Sequence, residues 1–330
     1  MTSIHRDLTD PARAFEVDDL EAGLKEPEFE NLEIPERLGP VTVRVDDHKI
    51  KRFAFTQDDY HPWYLDASPF DGCRIGHAAL LGNDLVQLFT TVYAASKVVG
   101  LHTEEQLWFD SPAFLDEEVT LEGTYTEAYE RRGQGYVVME ATATGADGRS
   151  ILRHRGVEIL RTRPGDVAGR GSATPAQPEE RVTGTVPADA PAFDPDAPAA
   201  GQVLAPLEKT YTTEQAAVFS RIGEYVRNIH NDLDLARAGG LRVPIVQGQQ
   251  QFGALAEMMT RAFGAVFFEG GWLRIKFLKT VDVHEPIEAS GVVTAVADGR
   301  VELQVWVRRA DGALSAAGWA SAPLPDRYRR

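Results

Sequence analysis

The sequence predicts an α+β fold built as two tandem copies of one unit, each a long central helix wrapped by an antiparallel sheet. Three observations predict it: a chain length suited to two domains, a mid-chain segment almost devoid of large apolar residues, and an ordered internal repeat. The 330 residues exceed the usual single domain of roughly 100–200 residues, so two modules, each with its own core, are the natural expectation. Hydrophobic residues make up 43% and charged residues 25%, the balance of a globular chain rather than a disordered or membrane one.

The linker comes first because it divides the rest. From about Pro164 to Gly201 the chain is rich in Pro, Ala, Gly, Asp and Thr, as in PAQPEE and DAPAFDPDAPAAG. Such a composition buries too little apolar surface to offset its conformational entropy, and its prolines favour extended chain. The divisions read as an N-terminal arm over 1–40, a first unit over 41–163, a linker over 164–204, a second unit over 205–324 and a basic tail over 325–330.

The two units echo one another in order. Gly76-His77-Ala78-Ala79-Leu80-Leu81 opens an apolar helical stretch to about Val98, and Val246-Gln247-Gly248 opens another through Gln251 to Phe263. Phe109, Glu117-Glu118-Val119 and Gly123 then match Phe277, Glu285-Pro286-Ile287 and Gly291 at a constant offset of 168. Ala146-Asp147-Gly148 and Ala310-Asp311-Gly312 are turns between alternating, strand-like runs. Each unit therefore reads as a short strand, a helical and loop region, one long helix and about four strands. One helix wrapped by an antiparallel sheet is the hot-dog unit, although the pattern alone would equally permit another α+β layout. Two in one chain make a double hot-dog, an intramolecular pseudo-dimer whose sheets join edge to edge so that the joined edges are covered.

Composition excludes several functions. A formal charge of −16 disfavours nucleic acid and anionic membranes as partners, since a polyanion needs a concentrated basic patch. The basic cluster Arg327, Arg329 and Arg330 is terminal and reads as solvated. The acidity leaves room for coenzyme A, whose phosphates need only a few local Lys or Arg side chains. A single cysteine, Cys73, excludes a disulfide framework and a Cys-based zinc site, and the eight histidines have no metal-ligand spacing. Neither a signal-like N-terminus nor a run of about 20 apolar residues occurs, so a cytoplasmic protein is the expectation. Gly165 to Gly171 lies in the linker and not after a strand, and neither a Gly-x-Ser-x-Gly elbow nor a Walker loop is present.

The segment FSRIGEYVRNIHNDLDLARAGGL, followed by VPIVQG, carries the most chemistry. Through Gly223, Asn228, His230, Asp232, Ala236, Arg237, Gly240, Pro244 to Val246 and Gly248 it resembles the MaoC-like, or (R)-specific enoyl-thioester hydratase, family. That family's signature runs Ser-Gly-Asp-x-Asn-Pro-x-His and ends in Pro-Ile-Val-His-Gly. At the family's Asp this copy offers Glu224, which keeps a carboxylate beside Gly223, or Tyr225, which an ungapped alignment places there. Gln247 stands in place of the second motif's His. The first unit carries the opposite remnant. Asp59 falls on the family's Asp and Pro62 on its Pro, while His61 takes the Asn position and Tyr64 the His position.

The resemblance implies that the second unit is catalytic and the first shapes the acyl pocket. It implies a hydratase, or dehydratase in reverse, that interconverts 2-enoyl and 3-hydroxyacyl thioesters with no cofactor. His230 and Glu224 would be the acid/base groups, Asn228 would position the site, and Gly248 would offer a backbone N–H to the thioester oxygen. That chemistry needs a base for water attacking Cβ, an acid for Cα, and donors for the enolate oxygen; each proton transfer is worth about 10²–10⁴-fold. A helix start at Gly248 would supply the donors. Asp59, His61, Trp63, Tyr64, His77, Tyr225 and Gln247 are secondary or pocket candidates. Each also has a plain structural reading: Asp59 as a turn or N-cap residue, the aromatics as core, His230 as a carbonyl-bonding histidine. A hot-dog thioesterase and a non-catalytic thioester-binding subunit remain alternatives, and a homodimer of pseudo-dimers is compatible with the chain.

Overall fold

A computed structural model describes residues 21–98, 100–131, 133–161, 181–220 and 227–324. The first unit contains β1 (Glu36–Val45), α1 (Asp47–Gln57), α2 (Pro62–Leu65), α3 (Gly82–Val86), β2 (Leu101–Phe109), β3 (Glu117–Arg131), β4 (Gln134–Gly145) and β5 (Ser150–Arg161). The second contains β6 (Leu207–Thr210), α4 (Thr213–Phe219), α5 (Leu233–Ala238), α6 (Gly248–Phe263), α7 (Ala265–Phe268), β7 (Gly271–Phe277), β8 (Pro286–Ala297), β9 (Arg300–Arg309) and β10 (Leu314–Pro323). Ten strands form one antiparallel sheet in the order β1-β3-β4-β5-β2-β7-β10-β9-β8-β6. The order reads the same from either end once copies are matched. The seam is β2 against β7, in register from Glu104 with Lys276 to Phe109 with Gly271.

The repeat offset survives in fine detail. A bulge interrupts β3 between Tyr125 and Glu127 and β8 between Val293 and Ala295, each pair 168 residues apart. Asp116 and His284, also 168 apart, both have positive φ, near 67° and 65°. Gly123 and Gly291 each lie where an added Cβ would press on the overlying layer, Leu88 in one unit and Met258 in the other. The two glycines let the helical layer approach the sheet closely.

The central helices differ from expectation in the first unit. α6 runs unbroken for sixteen residues and is buried on every side from Gln249 to Thr260. Its counterpart is short, and the stretch expected to be helical to Val98 continues instead as 3₁₀ turns at Gln87–Thr91 and Ala95–Lys97. Thr90 and Thr91 hydroxyls donate to the carbonyls of Gln87 and Leu88 three residues back, which tightens this turn.

β1 begins at Glu36, inside the span read as arm, and Lys25 ahead of it hydrogen-bonds through its backbone to Val92. Residues 181–204 lie along the second unit. They use their few apolar side chains there, Val182 against Trp306, Phe193 against Phe263, and a buried Leu204. The rest of the expected linker, the start of the arm and the basic tail lie outside the described residues.

Candidate active site

The second-unit motif folds around the start of α6. Asp232, matched to the signature, is the N-cap of α5, accepting from the backbone N–H of Asp234 and Leu235. The carbonyl of Ile245 takes a hydrogen bond from His230 Nδ1 at 2.8 Å. A carbonyl can only accept, so the neutral ring carries its proton on Nδ1 and leaves Nε2 as a free base. Asn228 sets the backbone: its Oδ1 accepts from the His230 N–H at 2.9 Å, and its Nδ2 donates to Ser220 Oγ at 2.9 Å. Burial lowers the His230 pKa, while the Ile245 carbonyl works the other way.

Gly248, three residues past Ile245, is the first residue of α6. In a helix's first turn the amides lack intrahelical acceptors and face the positive end of the dipole. Gln247 is the N-cap, and its own N–H donates to Gln250 Oε1 at 3.2 Å. The glycine has a further cause that the sequence did not disclose: a Cβ at 248 would lie 2.9 Å from the Phe277 ring. Phe277 packs in turn on His102, at 5.1 Å between centroids. Below lies a buried cluster on the inner face of the sheet, where Glu105 takes His102 and His154 at 3.0 Å each. Burial would raise the Glu105 pKa, but the two imidazoles outweigh it and hold it down at about 2.

Glu224, Tyr225 and Gly223 lie outside the described residues, yet the loop length around them is measurable. Asp46 caps α1 through Lys49 N–H as Thr212 caps α4 through Gln215 N–H, and both pairs are 166 residues apart. Beyond the loop, Ile75 N–H donates to Trp63 O as Ile245 N–H donates to Ile229 O, and the acceptors are again 166 apart. The intervening loops therefore have equal length. Counting sets His230 opposite Tyr64, Tyr225 opposite Asp59 and Glu224 opposite Asp58.

The first unit brings Asp59, Tyr64 and His77 together and buries all three. His77 Nε2 lies 3.6 Å from Asp59 Oδ2, and its Nδ1 accepts from the Ala79 N–H at 3.0 Å. Burial lowers His77 to about 4, against the pull of Asp59, and raises the Tyr64 phenol well above its usual range. His61 is the N-cap of α2, its Nδ1 accepting from Trp63 N–H, and burial lowers its pKa. Trp63 packs between His61 and Phe268.

Sequence reasoning missed Glu257 and Lys209, buried partners 2.7 Å apart beside this group. Burial first, then Asp59, pushes Glu257 up to about 7. Its one signal was a carboxylate inside the apolar run LAEMMT. Ser220, which holds Asn228, had no such signal.

A cavity of about 380 Å³ opens mainly against the first unit, lined among others by Lys49, Arg52, Phe53 and Asp84, with Val218 and Phe219 from the second. Phe53 and Phe219, 166 residues apart, have ring centroids 5.8 Å apart, so equivalent residues of the two units meet at the cavity's edge. Asn83 Nδ2 donates to Phe219 O at 3.2 Å, next to the Ser220 that holds the His230 loop. Among the described residues no group of three or more His, Cys, Asp or Glu is arranged to hold a metal ion. No helix among them is long and apolar enough to cross a membrane.

Solved structures match over nearly the whole chain. A MaoC-like dehydratase aligns with a TM-score of 0.68 at 16% identity, over 90% of this chain and 99% of its own. A MaoC domain protein dehydratase from Chloroflexus aurantiacus aligns at 0.64 and 13%, over 90% and 97%. The chain has the double hot-dog fold. A conserved hypothetical protein from Mycobacterium tuberculosis, described as having that fold, aligns at 0.62 and 17%, over 90% and 98%. No family model matches the sequence, and no curated protein matches it. The double hot-dog thus rests on the tertiary structure and on the repeat, while its chemistry rests on the site.

Proposed function

We propose that this double hot-dog protein interconverts 2-enoyl and 3-hydroxyacyl thioesters by acid–base catalysis in its second unit. The observation that carries this reading is the His230 ring, anchored through Nδ1 to Ile245 O just ahead of the first residue of α6. Nε2 is thereby presented as a base beside a helix N-terminus that can receive the thioester oxygen. Asn228 fixes the histidine's backbone, and the Gly248 amide is a donor to the developing enolate. The second proton carrier is assigned to Glu224, with its neighbour Tyr225 opposite Asp59 as the competing group. The names of the structural neighbours agree with this class of reaction, and no cofactor takes part. Hydration and dehydration share one transition state, so supply of substrate decides the direction.

The test is to offer a crotonyl thioester of coenzyme A and to measure 3-hydroxyacyl thioester and free thiol together. Wild type should form the hydroxyacyl product, and His230→Ala should cut the rate by about 10²–10⁴-fold in a folded protein. Glu224→Gln against Tyr225→Phe identifies the partner group. Thiol release without hydroxyacyl product would make the protein a thioesterase. Binding without turnover of any thioester would make it a carrier or partner subunit.

A further inference from the structure

The first unit holds more unsatisfied polar chemistry than a spent copy requires. Asp59 Oδ2 and His77 Nε2 are buried and without a hydrogen-bond partner, and the buried Tyr64 phenol lies against the Asp59 carboxylate. Buried polar atoms are nearly always paired, so two that face each other beside a buried phenol call for an explanation. The separation between His77 Nε2 and Asp59 Oδ2, 3.6 Å, is too long for a direct hydrogen bond. His77 receives the Ala79 N–H on Nδ1, so its neutral ring presents the Nε2 proton toward Asp59.

The group also sits in a meaningful place. Tyr64 aligns with His230, and the chain from Arg74 to Gly76 bonds to the segment ahead of β3 as the chain from Pro244 to Val246 bonds to the segment ahead of β8. That equivalence puts His77 opposite Gln247 and Ala78 opposite Gly248. Phe53 lines the 380 Å³ cavity and packs on the His77 ring at 5.1 Å between centroids. The cavity is therefore separated from His77 by the Phe53 ring. Around Asp59 stand Glu257 and Lys209, with Arg261 and His61 toward the surface.

We propose that the first unit holds a second, slower acid–base centre for the same class of acyl thioester, made of Asp59 and Tyr64 with His77 as the residue that positions Asp59. This rests on the thioester reading above. In the hydration direction, water's oxygen bonds Cβ and its proton passes to Asp59. The π pair of the double bond becomes the Cα–H bond, taking the phenol proton of Tyr64, and Asp59 returns the water proton to the phenolate. It is slower because Phe53 stands over it.

The test follows the residual rate of the full-length His230→Ala protein on the crotonyl thioester. Adding Asp59→Asn or the near-isosteric Tyr64→Phe should lower that residue at least tenfold, whereas Phe53→Ala should raise it. His77→Gln should lower kcat and leave KM unchanged. Thermal melts establish that each variant is folded, and Tyr64→Phe keeps the test open if Asp59→Asn is not. A residual rate indifferent to Asp59→Asn, Tyr64→Phe and Phe53→Ala would overturn the second centre and leave the His230 site standing. Should wild type turn over no thioester at all, the thioester reading of His230 fails and the second centre falls with it.

Discussion

At the scale of the residue, Gly248 shows how one position serves two demands. Its amide belongs to the first turn of α6, and its missing side chain makes room for Phe277. A methyl group there must displace the ring or the start of the helix, and overpacking of this kind costs about 1–3 kcal/mol. Gly248→Ala is therefore expected to lower the melting temperature and, by moving the helix start away from His230, to reduce kcat/KM. Adding Phe277→Leu should recover the melting temperature, and a Gly248→Ala protein with wild-type stability would show that the contact yields freely. His230 is the contrasting case, a residue whose meaning depends on its partner. Without the Ile245 carbonyl, either ring nitrogen could carry the proton.

At the scale of the element, the two units hold each other by unequal contacts at equivalent places. Gln57, at the end of α1, lays its amide over Gly253 in the middle of α6, where any Cβ would overlap it. Tyr211 OH donates to Gln57 Oε1 at 3.2 Å. Asn83, at the place in the first unit that Gly253 holds in the second, instead donates its Nδ2 to Phe219 O at 3.2 Å. Gly253→Ala should destabilise the protein by about 1–3 kcal/mol. Because the two side chains compete for one space, Gln57→Ala should relieve part of that loss, giving a coupling of about 0.5–3 kcal/mol in a double-mutant cycle of denaturant unfolding. Additive effects would place the strain elsewhere. The short α3 belongs to the same asymmetry, since threonine hydroxyls turn its continuation into 3₁₀ geometry.

At the scale of the whole molecule, buried titratable groups in both units set the response to acid. His77, lowered from 6.5 to about 4, binds its proton more readily unfolded, so its contribution is lost as pH falls from about 6.5 to 4. Glu257, raised from 4.5 to about 7, works in the opposite sense and adds stability as pH falls from about 7 to 4.5. Glu105, lowered from 4.5 to about 2, contributes above its unfolded pKa and is lost as pH falls from about 4.5 to 2. The first two nearly offset each other. Melting temperature should therefore change little between pH 7 and 5 and fall steeply below 4.5. Glu257→Gln should make the decline begin near pH 6.5, and Glu105→Gln should flatten the lower limb. Thermal melts across pH read all three slopes, and a Glu257→Gln protein with the wild-type profile would contradict this assignment.

The sequence by itself determined the two-unit organisation and the place of the strands, because the offset of 168 and the alternation of apolar residues are local records of how a sheet must be built. It also determined which loop carries His230, Asn228 and Gly248, since those residue types at that spacing are written in one stretch of chain. Only the tertiary structure decided which first-unit residues meet. Asp59 and His77 are eighteen positions apart, and Glu257 and Lys209 come from the other unit; burial and distance, not spacing, bring them together. The interruption of the first helix was hidden for the same reason. Apolar periodicity reports which face is covered, and it is silent on whether a side-chain hydroxyl nearby will take a backbone carbonyl for itself.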